Sequence, residues 1–233
     1  MSVARQPAAS RPAAVLLAAG FASRMRGIVK LLLEIDGEPL VRRTLRVLHE
    51  AGVGDVVVVL GHHAAQIAPV LQGSSARVLH HAGYQAGQQS SVLAGLRALA
   101  PDADPVLVVL GDLPLLEPKD ISGLLAAFAA RPAGRRVLVP RAQGLRGNPV
   151  VVERSVVDEV LLAADDSAGL RGFIDRNRQV VASFQAPNDH TVVDLDTPQD
   201  IAALERRLGR RVEGWDRGKL NDQADSDICC GES

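Results

Sequence analysis

The chain has 233 residues, a formal net charge of -1, 47% hydrophobic residues and only 3% aromatic ones, which suits a single domain with a core of Ala, Val and Leu. The near-neutral charge argues against a general nucleic-acid or membrane-surface binder, no apolar run reaches the roughly 18 residues of a membrane span, and the opening MSVARQPAASRP lacks the apolar stretch of a secretory signal. The two cysteines, Cys229 and Cys230, are adjacent near the C-terminus and supply neither a disulfide framework nor a zinc site, so a reducing, cytoplasmic setting is expected.

Residues 1–12 read as a flexible lead-in. Residues 13–19, AAVLLAA, form an apolar strand, followed by Gly20 and a loop carrying Arg24, Arg26 and Lys30. Residues 39–52 predict a helix with Leu40, Leu45 and Leu48 on one side and Gly52 at its C-cap. Strands follow at 55–61 and 76–81, a helix at 87–100, a strand at 105–111 and a helix at 117–130. The second half supplies strands at 135–141, 148–153, 179–184 and 190–196, with helices at 156–164, 169–177 and 197–209. Pro118 and Pro198 fall near helix starts, where a missing N–H does little harm. Such alternation implies an α/β sandwich, helices on both faces of a mainly parallel sheet, over 13–208. Beyond, 209–233 loses apolar periodicity and reads as a flexible tail that Trp215 could dock.

In open parallel sheets, ligands sit beyond the carboxyl ends of the strands. The small residues Ala18, Ala19 and Gly20, directly after the first strand, would let a nucleotide approach the backbone, and Arg24 and Lys30 would neutralise a triphosphate. The bland alternative is a solvated loop; the segment matches neither the P-loop nor the G-x-G-x-x-G pattern. LGDLPLL (110–116) sets Asp112 at a strand end, where it reads either as a turn residue or as a ligand for Mg²⁺, which needs only one or two protein carboxylates. In VVDLDTPQD (192–200), Asp194 and Asp196 would face one side of a strand. Asp196 or Thr197 is also a ready helix cap, which leaves Asp194 the better claim to the metal. The histidines lack zinc-site spacing, and no Ser-His-Asp or Cys-His set stands out.

The segments LLAAGFASRMRGIVKLLLEIDGEPLVRRTL, GYQAGQQSSVLAGL, VLGDLPLL, RGNPVVV and VVDLDTPQDI occur in the order seen in the MobA-like nucleotidyltransferases. The chain resembles this family over about 13–208, nearest to the branch of molybdenum cofactor cytidylyltransferase (MocA). The resemblance implies a three-layer α/β/α, Rossmann-like GT-A fold, bound Mg²⁺ and a nucleoside triphosphate, CTP favoured. It further implies transfer of CMP to the terminal phosphate of molybdopterin with release of pyrophosphate, the product passing to a molybdoenzyme or its chaperone. Leu17, Ala18, Ala19 and Gly20 would then face base and ribose, Arg24 and Lys30 the phosphates, and Asp112 and Asp194 the metal. The stretch from Gly83 to Ser91 would read the base through Gln88, Ser90 and Ser91, although helix capping explains the serines as well; Arg146 and Asn148 would meet the acceptor. Two details depart from the pattern: Arg-Met-Arg-Gly replaces Arg-Met-Gly, and DDSAGLRG (165–172) matches a Gly-Asp-x-Gly-Ala-Arg motif only loosely, so Asp165, Asp166 and Arg171 stay outside the catalytic set. Within the same fold, guanylyl transfer and transfer to sugar or isoprenoid-precursor phosphates are alternatives, as is a chaperone that shelters a cofactor without turnover.

Overall fold

The computed structural model describes residues 11–163 and 169–220; Asp165, Asp166, Cys229 and Cys230 lie outside it. In chain order the elements are β1 (Ala13–Ala18), β2 (Glu34–Ile35), β3 (Glu38–Pro39), α1 (Leu40–Glu50), β4 (Asp55–Leu60), α2 (Ala64–Ile67), β5 (Arg77–His80), α3 (Gln88–Ala98), β6 (Val106–Leu110) and α4 (Pro118–Ala129). There follow β7 (Val137–Ala142), β8 (Leu145–Arg146), β9 (Val150–Val152), α5 (Arg154–Leu162), α6 (Gly169–Arg176), β10 (Val181–Gln185), α7 (Pro198–Leu208) and β11 (Val212–Glu213).

The main sheet runs β10-β7-β9-β6-β1-β4-β5, with β8 hairpinned onto β7. Neighbours are parallel except at β9, which runs antiparallel to both β6 and β7. This is a three-layer α/β/α, Rossmann-like arrangement, and the side-chain alternation of β1 explains why. Ala14, Leu16 and Ala18 point to one face, where they meet Val41, Leu45 and Leu48 of α1 and Ile121 and Leu124 of α4. Ala13, Val15 and Leu17 point to the other, against Val92 and Leu96 of α3, Val156 of α5 and Phe173 of α6. A strand buried on both faces has no polar side to show, hence the unbroken apolar run. Helix α3 approaches β1 so closely that a Cβ on Gly95 would lie 2.3 Å from Val15 Cγ1.

Two sequence expectations change. Residues 190–196 are not a strand but a turn and loop: the N–H groups of Val192 and Val193 both donate to Asp189 O, and Leu195 N–H donates to Asp112 O at 3.1 Å. Those bonds leave no ladder, so the two Val residues cannot impose a strand. The second change concerns residues after Leu208. Val212–Glu213 pairs antiparallel with β2, itself paired with β3 across a tight Asp36-Gly37 turn in which both residues have positive φ (58° and 74°). Val212 is fully buried in a third cluster with Met25, Ile35, Leu40, Leu195 and Ile201, and Trp215 packs against it. The packed unit therefore reaches past 208, because a strand of two residues carries too little periodicity to be read. Among the described residues, no helix is long and apolar enough to cross a membrane.

Candidate active site

Strands β1 and β6 are in register from Ala13↔Val106 to Leu17↔Leu110 and end together. Gly111 N–H then donates to Leu17 O at 3.1 Å, and the next residue is Asp112. A Cβ on Gly111 would meet Leu17 O at 3.0 Å, so glycine permits this close exit. From the other direction, the Leu195 N–H bond to Asp112 O draws the 190–196 loop, with Asp194 and Asp196, to the same strand end. The loop after β1 turns through Ala22, Arg26 and Gly27, all at positive φ, while fully buried Met25 anchors it in the third cluster. A single helical turn at Lys30–Leu32 then aims Lys30 inward.

The result is a cleft of about 980 Å³ at the carboxyl edge of the sheet. Leu17, Ala18, Ala19, Gly20, Arg24, Lys30, Gln88, Ser91, Asp112 and Asp194 all line it, together with Asp196, Phe21, His62, Tyr84 and Arg171. Lys30 Nζ bonds Asp112 Oδ2 and lies 3.3 Å from Asp196 Oδ1; Arg24 bonds Asp196 Oδ2 at 2.6 Å. Asp112 Oδ1 is buried and has no hydrogen-bond partner among the described residues. The Asp194 carboxyl faces solvent in the cleft, yet its pKa is pushed up, first by partial desolvation, then by the charges of Asp196 and Asp112. Three carboxylates, one orphaned buried oxygen and a lysine already drawn among them form an oxygen-rich donor set suited to a hard divalent cation such as Mg²⁺.

Asp196 is the residue that sequence reasoning undervalued. The cap of α7 is Thr197, whose side chain and Asp200 form a reciprocal capping box, so the Asp196 carboxylate is free to face Lys30 and Arg24. Gly83 does not line the cleft; its carbonyl accepts from the Ser90 hydroxyl at 3.1 Å, which also bonds Gly87 O at 2.7 Å. Ser90 is thus spent on its own turn, whereas Gln88 is exposed and Ser91 borders the cleft from a buried position. Arg146 and Asn148 line an adjoining pocket of about 270 Å³ that shares Leu17, Gln88, Leu110 and Arg171 with the cleft. Its wall is fixed where Asn148 N–H donates to Thr191 O at 2.8 Å, and Arg146 pairs with Asp175 at 2.8 Å, holding that carboxyl below its usual range. An aromatic edge unread in the sequence lies at the mouth: exposed Phe21 meets the His62 ring at 4.4 Å, and His62 Nδ1 lies 3.3 Å from the Tyr84 hydroxyl. Its members are far apart in sequence, and only the fold assembles them.

A second acidic group, Glu117, Asp120 and His190, brings possible ligand atoms within 4.8 Å of one another. Here Asp120 Oδ2 accepts from Glu117 N–H and lies 2.8 Å from His190 Nδ1, and Asp120 Oδ1 accepts from Asn188. Those bonds use both oxygens and account for the group as the cap of α4.

The sequence matches the MobA-like NTP transferase domain over residues 14–181. The chain belongs to this family. Among curated relatives, this MobA-like domain is 35% identical over 136 residues to the bifunctional protein GlmU of Pelobacter propionicus, covering 58% of this chain and 30% of that protein. It therefore spans about 30% of the length of that relative. Among solved structures, Rv0371c of Mycobacterium tuberculosis has a TM-score of 0.71 at 24% identity, with 85% of this chain and 100% of that one covered. A nucleotidyl transferase from Methanothermobacter has the same TM-score and identity, with 85% and 97% covered. The two structures share the fold of this MobA-like domain.

Proposed function

We propose that this protein is a divalent-metal-dependent nucleotidyltransferase that moves CMP from CTP to the terminal phosphate of molybdopterin, with release of pyrophosphate. Family membership supports nucleotidyl transfer as the reaction class. The single observation that carries the reading is the meeting of Asp112, Asp194, Asp196, Lys30 and Arg24 in one cleft, with Asp112 Oδ1 buried and without a hydrogen-bond partner among the described residues. The finer choice of CTP and molybdopterin rests on the resemblance, in which the Leu-Ala-Ala-Gly opening and the GQQSSVLAGL segment lean away from the guanylyl branch.

In this reading Asp112 and Asp194 hold Mg²⁺, and Asp196 orients Arg24 and Lys30. The bound ion supplies positive charge to the phosphate oxygens. A phosphate oxygen of the acceptor forms a bond to the α-phosphorus of the triphosphate while the bond to pyrophosphate breaks. Both reactants are anions, so Lys30 and Arg24 lower the barrier by holding charge that develops on the leaving group. The open backbone at Gly20, where a Cβ would meet nothing within 4 Å, admits the nucleotide, and Gln88 and Ser91 face its base. The acceptor phosphate is ionised at neutral pH, so no general base is required. Arg146 and Asn148 receive the acceptor. The product then passes to a molybdoenzyme or its chaperone.

The shared name of the curated relatives, which is not that of the molybdenum-cofactor branch, favours a second reading in which the acceptor is another phosphorylated compound. Pyrophosphate release from CTP, GTP and ATP with Mg²⁺, measured with molybdopterin and with a sugar 1-phosphate, separates the two. Asp112→Ala abolishes release in either case. Binding of molybdopterin with no release in any mixture would mark a carrier and sink the proposal.

A further inference from the structure

Arg171 stands where the two cavities meet. Among the described residues it is the one cation that lines both the large cleft and the smaller pocket of Arg146 and Asn148. The other cations of these cavities are engaged: Lys30 by Asp112 and Asp196, Arg24 by Asp196, Arg146 by Asp175. The guanidinium of Arg171 is exposed and, among the described residues, makes no side-chain hydrogen bond or close ion pair; its charge acts only at longer range on Asp175, which is itself bonded to Arg146. Its backbone, in contrast, is tied down. Arg171 N–H donates to Gln89 Oε1 at 3.2 Å, and the Gln89 side chain packs over Gly169, where a Cβ would lie 2.6 Å from that oxygen. A fixed stem and a head with no hydrogen-bonded partner among the described residues, held between two cavities, suit a group that engages an anion arriving from one side and presents it to the other.

We propose that Arg171 is the specificity-determining cation for the acceptor, binding a terminal phosphate monoester seated in the smaller pocket and setting it against the nucleotide cleft. A guanidinium offers paired N–H donors that match two phosphate oxygens, and its charge offsets the repulsion between the entering phosphate and the triphosphate. A lysine would supply the charge without the paired geometry. The proposal rests on the nucleotidyltransferase reading for the identity of the neighbouring anion, but its central claim, monoester binding by Arg171, is measurable without turnover.

The test is calorimetric titration of the full chain with phenyl phosphate, as a bare monoester probe, and separately with Mg²⁺·CTP. Arg171→Gln is expected to weaken phenyl phosphate binding about tenfold or more, the order of a charge-assisted pair, and to shift Mg²⁺·CTP affinity by less than about twofold. Arg171→Lys recovers part of the loss, which a merely structural role would not predict. Equal losses for both ligands would move Arg171 into the triphosphate site and overturn the proposal, as would unchanged phenyl phosphate binding. Wild-type protein that binds phenyl phosphate through Arg171 but takes up no triphosphate with Mg²⁺ would overturn the nucleotidyltransferase reading and leave the monoester site standing.

Discussion

Lys30→Ala tests the electrostatics of the cleft most directly. The Lys30 and Asp112 side chains are only 14% and 16% exposed, so their pairing is shielded from water, unlike that of Arg24, which is 68% exposed. Lys30 bonds Asp112 Oδ2 and Oδ1 has no hydrogen-bond partner among the described residues, so loss of the ammonium leaves the whole carboxylate without one there while Asp194 and Asp196 remain close by. Removing one member of a fully buried pair costs about 3–5 kcal/mol; the residual exposure of this pair to water reduces that to about 2–3 kcal/mol. For a domain of this size that is a fall in Tm of about 5–10 °C. A divalent cation at the same carboxylates replaces the lost charge, so Mg²⁺ should raise the Tm of Lys30→Ala more than that of the unaltered protein. Differential scanning calorimetry of both proteins, in chelator and then in millimolar Mg²⁺, reads both effects. A variant that melts within about 2 °C of the parent in chelator, with the same response to Mg²⁺, would refute the view that Lys30 stands in for a cation.

The Asp194 carboxyl, whose folded-state pKa lies above the ordinary 3.8, binds its proton more tightly in the fold than in the unfolded chain, so stability falls as pH rises through that raised value. Asp194→Asn should therefore raise the Tm of metal-free protein at pH 7, lose that gain below the ordinary carboxyl pKa, and blunt the Mg²⁺ response, all visible in a pH series of melts. Gly95→Ala forces a methyl to within 2.3 Å of Val15 Cγ1 and should cost about 1–3 kcal/mol, read by urea unfolding; an unchanged midpoint would mean that α3 simply slides. A chain truncated after Leu208 loses buried Val212 and its strand, and should melt several degrees below one truncated after Leu220; equal melting would return residues 209–220 to a dispensable tail.

The layered fold was open to sequence reading because strands covered on both faces, such as VVVVL in β4, cannot be disguised by polar alternation. Helix α4 was equally plain, with Pro118 at its start and an apolar run behind it. The segment HTVVDLD misled because β-branched residues suit strands in general, while here turn bonds to Asp189 and a bond to Asp112 O decide the backbone. Of the candidate site, the cationic loop and Asp112 were visible because each follows a strand at once. Asp196 was hidden by its neighbour Thr197, since either residue is a good helix cap and only geometry assigns the task. The Phe21, His62 and Tyr84 edge arises from proximity in space and leaves no local pattern; Arg171 had only the loose DDSAGLRG match, and its place between two cavities is set by the fold.

The reversed direction of β9 also bears on how such a protein can change. Because β9 starts at the edge of the sheet where β7 finishes, a short connection carrying β8, Arg146 and Asn148 serves as one wall of the smaller pocket. A parallel β9 would have needed a full crossover to return to that edge. Residues can thus be added to or removed from this connection without rethreading any strand, so the enclosure for the second reactant can be recut independently of the framework that carries Asp112 and Lys30.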